Sequence, residues 1–111
     1  MLTDQEIYEQ VFSIASRYEI FQCQACADEI QRWLQRRDIH GVHIKITTRM
    51  NDFMISERVG SHTTITQNGC HYGVEVRGKV FDNLPQTGMS KREWLADFEC
   101  IGGFDVEEIH F

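Results

Sequence analysis

Proline is nearly missing from this chain: there is one, beside eight glycines, in 111 residues. That excludes a proline-rich linker and a collagen-like repeat. Positive charge is also scarce. Eleven Lys and Arg stand against 17 Asp and Glu, a formal net charge of −6. Such a surface repels nucleic-acid phosphate. The densest basic group, Arg32, Arg36 and Arg37, reads as a solvated helix face, so no nucleic-acid partner is expected. No apolar run approaches the roughly 20 residues of a bilayer span, so no membrane partner is expected either. The opening Met1-Leu2-Thr3-Asp4-Gln5-Glu6 lacks the basic and apolar regions of a secretory signal. The expectation is a chain that stays in the cytoplasm where it is synthesised, with its cysteines reduced.

Internal repeats, low-complexity tracts and linkers are absent too. What remains is ordinary globular material, 41% apolar and 25% charged, which argues against disorder. The length suits a single domain over 1–111.

The first third is helical in pattern. Thr3 or Asp4 can cap a helix with Glu6 in its first turn. Ile7, Val11, Ile14, Ala15 and Tyr18 recur at helical spacing. Glu19 to Gln22 breaks it. A second helix is expected from about Cys23 to Arg37, with Cys23, Cys26, Ala27, Ile30, Trp33 and Leu34 as its apolar stripe.

Strands follow. Val42, Ile44 and Ile46 alternate with His43, Lys45 and Thr47. Phe53 to Ser56 and Thr63 to Thr66 are shorter candidates, and Asn68-Gly69 is a turn signal. The clearest hairpin joins His71–Val76 to Lys79–Asp82 through Arg77-Gly78. Ser90 caps a short helix carrying Trp94, Leu95 and Phe98, and Phe104 to Phe111 offers an edge strand. Helices first and an antiparallel sheet second make the class α+β.

Three residues fit one chemistry. Cys23 opens a helix, where unpaired N–H groups and the helix dipole favour a thiolate. Cys26 lies one turn further in. His71 starts a strand and Asp82 ends the next. A two-residue turn sets Val76 opposite Lys79, which brings Gly73 opposite Asp82 and puts His71, Gly73 and Asp82 on one sheet face. His71 and Asp82 are then diagonal neighbours, and Gly73 has no side chain to separate them. A carboxylate on one imidazole nitrogen fixes the tautomer and leaves the other for a thiol. That is acyl-transfer machinery: thiolate nucleophile, histidine proton shuttle, orienting carboxylate. The Cys23 N–H with the side chain of Gln22 or Gln24 can serve an oxyanion. Asn83 can support Asp82 or simply start a turn.

Cys23-Gln-Ala-Cys26-Ala27 with Ile30 and Leu34, "HYGVEV" from His71, "VFDN" from Val80 and "EWLADF" from Glu93 resemble the papain-fold toxin domains of bacterial polymorphic toxin systems. These belong to the papain-like and transglutaminase-like cysteine enzymes. The resemblance runs from about Phe21 to Phe98. It implies a papain-like core and a Cys–His–Asp triad. The activity it implies is that of a protease, deamidase or transglutaminase-type effector acting on a target protein, with an immunity protein as further partner and no cofactor. The nucleophile is left between two cysteines. Transglutaminase-like spacing of apolar residues after the nucleophile fits Cys23, whereas the Cys-x-x-Cys of papain places it second, at Cys26.

Other readings of the same residues are a catalytically inactive papain-fold interaction module and a small zinc site. The second half of a zinc site would come from Cys70, His71 and Cys100. Adjacent Cys70 and His71 point to opposite strand faces, so no metal site is expected.

Overall fold

The computed structural model describes residues 1–85 and 88–111. Three helices and six strands follow in the order α1 (Asp4–Ala15), α2 (Cys23–Gln35), β1 (Val42–Thr48), β2 (Ile55–Ser56), β3 (Cys70–Val76), β4 (Lys79–Phe81), α3 (Lys91–Ala96), β5 (Phe98–Glu99) and β6 (Phe104–His110). The class is α+β, with the N-terminal helices packed on an antiparallel four-stranded sheet of order β4-β3-β1-β6. A second, two-stranded sheet pairs β2 with β5.

Local chemistry starts the helices. Thr3 caps α1 and Ser90 caps α3, each in a reciprocal capping box, with Glu6 and Glu93 respectively. At α2, by contrast, Gln22 stands at the cap position without a side-chain hydrogen bond to the helix.

The sheet buries both faces. On one, Val74 and Val76 of β3 and Phe81 of β4 pack against Ile7, Val11 and Ile14 of α1 and Cys26, Ile30 and Leu34 of α2. On the other, Ile44 and Ile46 of β1 meet Trp94 of α3, Phe98, Met54, Ile65 and Leu84. Register assigns the faces: Ile46 lies opposite His71 and Ile44 opposite Gly73, so His71 and Gly73 belong to the second face.

Arg77 and Gly78 both have positive φ, 49° and 85°, as a type I′ hairpin turn requires. The turn sets Val76 against Lys79 and Val74 against Phe81, the expected register. The C-terminal strand β6 pairs with β1 at the edge of the sheet.

Three sequence expectations are corrected. Thr63 to Thr66 is not a strand. The Thr64 hydroxyl accepts from the Met54 N–H at 3.1 Å and donates to the Thr66 carbonyl at 3.1 Å, and the Thr66 hydroxyl donates to the Asp52 carbonyl at 2.6 Å. Side-chain bonds of this kind displace ladder bonds. Phe98 belongs to β5 rather than α3. Helix α2 stops at Gln35, two residues short of Arg37.

Candidate active site

The site forms where the first turn of α2 meets the start of β3 and the end of β4. Phe21, two residues ahead of Cys23, has φ 76°, a left-handed conformation costly for an aromatic residue. This bend delivers Cys23 to the first position of α2. The loop is closed locally: the Gln22 N–H donates to the Glu19 carbonyl at 3.1 Å, and the Gln22 side-chain oxygen accepts from the Glu19 N–H at 2.8 Å. Across it, Asn83 donates its amide to the same Glu19 carbonyl at 2.7 Å.

Cys23 is buried, 6% exposed as a residue, and its thiol donates to the Cys70 carbonyl at 3.8 Å. It lines a small cleft of about 150 Å³ with Phe21, Gln24, Thr66, Asn68 and Tyr72. A larger groove of about 700 Å³ lies beside it, bounded by Ile20, Phe21, Arg58, Val59, Thr63 and Asn83. Phe21 lines both. Cys26 is fully buried, and burial, with smaller contributions from Asp82 and Cys23, pushes its thiol up to about 12.

His71 and Asp82 are both buried and in contact: the imidazole Nε2 lies 2.9 Å from Asp82 Oδ2. The other ring nitrogen, Nδ1, is buried with no hydrogen-bond partner. The ring sits against Trp94 and Phe98, with centroids 5.9 Å and 5.0 Å away. Burial alone lowers the His71 pKa. The hydrogen bond and negative charge of Asp82, with a contribution from nearby Cys23, outweigh it and raise the imidazole to about 9. Burial alone likewise raises the Asp82 carboxyl, but His71 and Arg58 hold it well below the usual carboxylate range.

Asp82 is held from several sides. The Trp94 indole N–H donates to Oδ2 at 2.8 Å. The Arg58 guanidinium forks onto both oxygens at 3.0 and 2.9 Å. The Leu84 N–H donates to Oδ1 at 3.0 Å. Arg58 turns its Nε to Asp97 Oδ2 at 2.8 Å, and the Ser56 hydroxyl donates to the same carboxylate oxygen.

The structure therefore brings together Cys23, His71 and Asp82. It places Gln24 in the cleft beside Cys23 and ties the Gln22 oxygen back to the loop. Asn83 fastens the Cys23 loop rather than the Asp82 carboxylate. Gly73 makes room for tryptophan: a Cβ there would lie 2.7 Å from the Trp94 ring and 3.0 Å from Val80. Sequence reading missed Arg58, Asp97 and Ser56. Their partners lie 24 to 41 positions away, and no spacing rule marks a lone arginine in a turn. Among the described residues, no group of three or more His, Cys, Asp or Glu is placed to hold a metal ion.

A sequence model of the family described as papain fold toxin 2 matches residues 6–99. No curated protein and no solved structure matches the chain. None of the described helices is long and apolar enough to cross a membrane.

Proposed function

The chain belongs to the papain fold toxin 2 family, a toxin domain of the papain-like type, and from that premise we propose that it is a cysteine-dependent acyl-transfer enzyme. Cys23 is its nucleophile, His71 its general base and acid, and Asp82 its orienting carboxylate. The observation that carries the reading is the buried His71–Asp82 pair at 2.9 Å, whose second imidazole nitrogen has no hydrogen-bond partner, with Cys23 at the first position of α2 close enough to influence the ring. The whole of 1–111 acts as one domain, because β6 lies beyond the matched residues yet completes the sheet.

In the reaction, Cys23 and His71 form a thiolate–imidazolium pair, with the proton held on the imidazole, and the thiolate attacks an amide carbonyl carbon of a protein substrate. The carbonyl oxygen becomes an oxyanion, met by the Cys23 N–H at the start of α2 and by the Gln24 side chain in the cleft. The C–N bond breaks as the His71 imidazolium protonates the leaving amine, which leaves a thioester on Cys23. Water or a second amine, deprotonated by His71, then attacks the thioester and frees the thiol. A peptide bond gives proteolysis, a side-chain amide with water gives deamidation, and a side-chain amide with an amine gives transglutamination. Cys26 fits the nucleophile role poorly, since a fully buried thiol raised to about 12 offers little thiolate. As a toxin domain, the chain acts on a protein of a recipient cell after delivery, and an immunity protein guards the producer.

Site-resolved alkylation tests this. Folded protein is treated with iodoacetamide from pH 5 to 9 and the modified cysteine is mapped by mass spectrometry, in wild type and His71→Ala. The expected result is rapid labelling at Cys23 below pH 7 that His71→Ala abolishes. Labelling that ignores His71, or that waits for denaturation, overturns the catalytic reading.

A further inference from the structure

Arg58 puts a full positive charge on the carboxylate that faces His71. Its fork to Asp82 is bidentate, at 3.0 and 2.9 Å, and its side chain is 13% exposed. A cation so placed competes with His71 for the Asp82 charge. Unopposed, it would weaken the support of Asp82 for an imidazolium, because like charges in a poorly solvated site repel strongly. The structure supplies an opposing charge. Asp97, with its side chain 4% exposed, takes the Arg58 Nε at 2.8 Å and the Arg58 backbone N–H at 3.2 Å. Ser56 holds Asp97 in turn through its hydroxyl.

The formal charges of these four groups sum to zero when His71 is charged: Asp82 and Asp97 give −2, Arg58 gives +1 and a protonated His71 supplies the other +1. The other groups facing His71 are Cys23 at the start of α2, the Trp94 indole on α3, Phe98 on β5 and Ile46 on β1. Of these, only Cys23 carries an ionisable side chain.

We propose that Arg58 and Asp97 are positioning residues of the active site: Arg58 fixes the Asp82 carboxylate, and Asp97 offsets the Arg58 charge so that Asp82 still favours a protonated His71. Neither group touches the substrate's reacting atoms. The proposal rests on the reading of His71 as the acid–base residue.

The test is the His71 titration followed by imidazole nitrogen NMR on the labelled full chain. Asp97→Asn keeps the size and a hydrogen-bond acceptor but leaves Arg58 unopposed, and the His71 midpoint falls by roughly 0.5–1 pH unit. Arg58→Gln removes the cation, and the midpoint moves the other way. The double variant Arg58→Gln/Asp97→Asn keeps the net charge of the cluster, folds where a single variant fails, and returns the midpoint close to wild type. A purely structural clamp would not produce opposite displacements that cancel. Midpoints that stay put in the variants that fold, move the same way in both single variants, or stay displaced in the double variant overturn the proposal. The titration does not require catalysis, so an unreactive Cys23 would sink the enzyme reading while leaving this measurement intact.

Discussion

Asn83 donates its side-chain amide to the Glu19 carbonyl at 2.7 Å, so the segment that follows Asp82 is fastened to the loop that delivers Cys23. The bond spans 64 positions of sequence and links the nucleophile's support to the carboxylate's. Asn83→Ala removes it and leaves the carbonyl one donor, the Gln22 N–H. The substitution also removes a buried side-chain oxygen that has no partner, which offsets part of the loss. The expected cost is about 1 kcal/mol by urea denaturation, together with several-fold slower alkylation of Cys23 in the folded state. Unchanged alkylation at reduced stability would show that the tie does not hold the thiol in place.

Gly73 is a packing requirement of Trp94. A methyl group there meets the indole ring at 2.7 Å and the Val80 side chain at 3.0 Å. The indole cannot retreat without giving up its 2.8 Å bond to Asp82. Gly73→Ala should therefore destabilise by roughly 1–3 kcal/mol, as overpacking does. Trp94→Phe keeps most of the volume and loses only the donor, at about 1.5–3 kcal/mol for a bond to a charged group. If the double variant costs clearly less than the sum of the two, the glycine and the indole act through one contact.

Cys26 separates two assignments of the nucleophile. It is fully buried among Ile7, Val11 and Ile30 on the helix side of the sheet, where a thiol behaves as a small apolar group. Cys26→Ala should leave Cys23 alkylation within about two-fold of wild type and lower stability by roughly 1 kcal/mol. Cys23→Ser should abolish fast labelling and leave stability nearly unchanged. The reverse pattern, read by peptide mapping, would move the nucleophile to Cys26.

The hairpin was legible because its turn residues fix its register. Arg77-Gly78 sets Val76 opposite Lys79, and counting back from there places His71 near Asp82. The two long helices were legible from apolar spacing, and β6 from the apolar residues Val106 and Ile109 of the tail. The second face of the sheet was not. Nothing in Phe53 to Thr66 announces that its backbone is held by threonine hydroxyls, or that Arg58 will bridge Asp82 and Asp97. Those contacts depend on how the irregular segment folds over β1 and β3, and single-residue preferences carry no information about that. The exchange at Asn83 has the same origin. The sequence offers Asn83 as a support for Asp82 or as a turn residue, while its actual partner at Glu19 is set by tertiary packing.

Stability should fall on the alkaline side of neutrality, and His71 should be the reason. Its pKa in the folded protein, about 9, lies above the ordinary value of 6.5, so the folded state binds the proton more tightly than the unfolded one. The stabilisation is complete below pH 6.5 and drains away as pH rises towards 9. Asp82 acts at the other end. Its carboxyl is held below the ordinary 3.8, so its contribution is complete above that value and is lost on further acidification. Between the two lies a plateau from about pH 4 to 6.5. Urea melts at half-unit steps should show a decline on the order of 2–3 kcal/mol from pH 6.5 to 9. The buried Cys26 thiol, pushed up to about 12 from an ordinary 9, acts only above this window. In His71→Gln the whole curve sits lower and the alkaline limb flattens. Parallel curves for the two proteins would mean that His71 binds its proton no more tightly in the folded chain than in the unfolded one, and that the Asp82 contact does not hold an imidazolium.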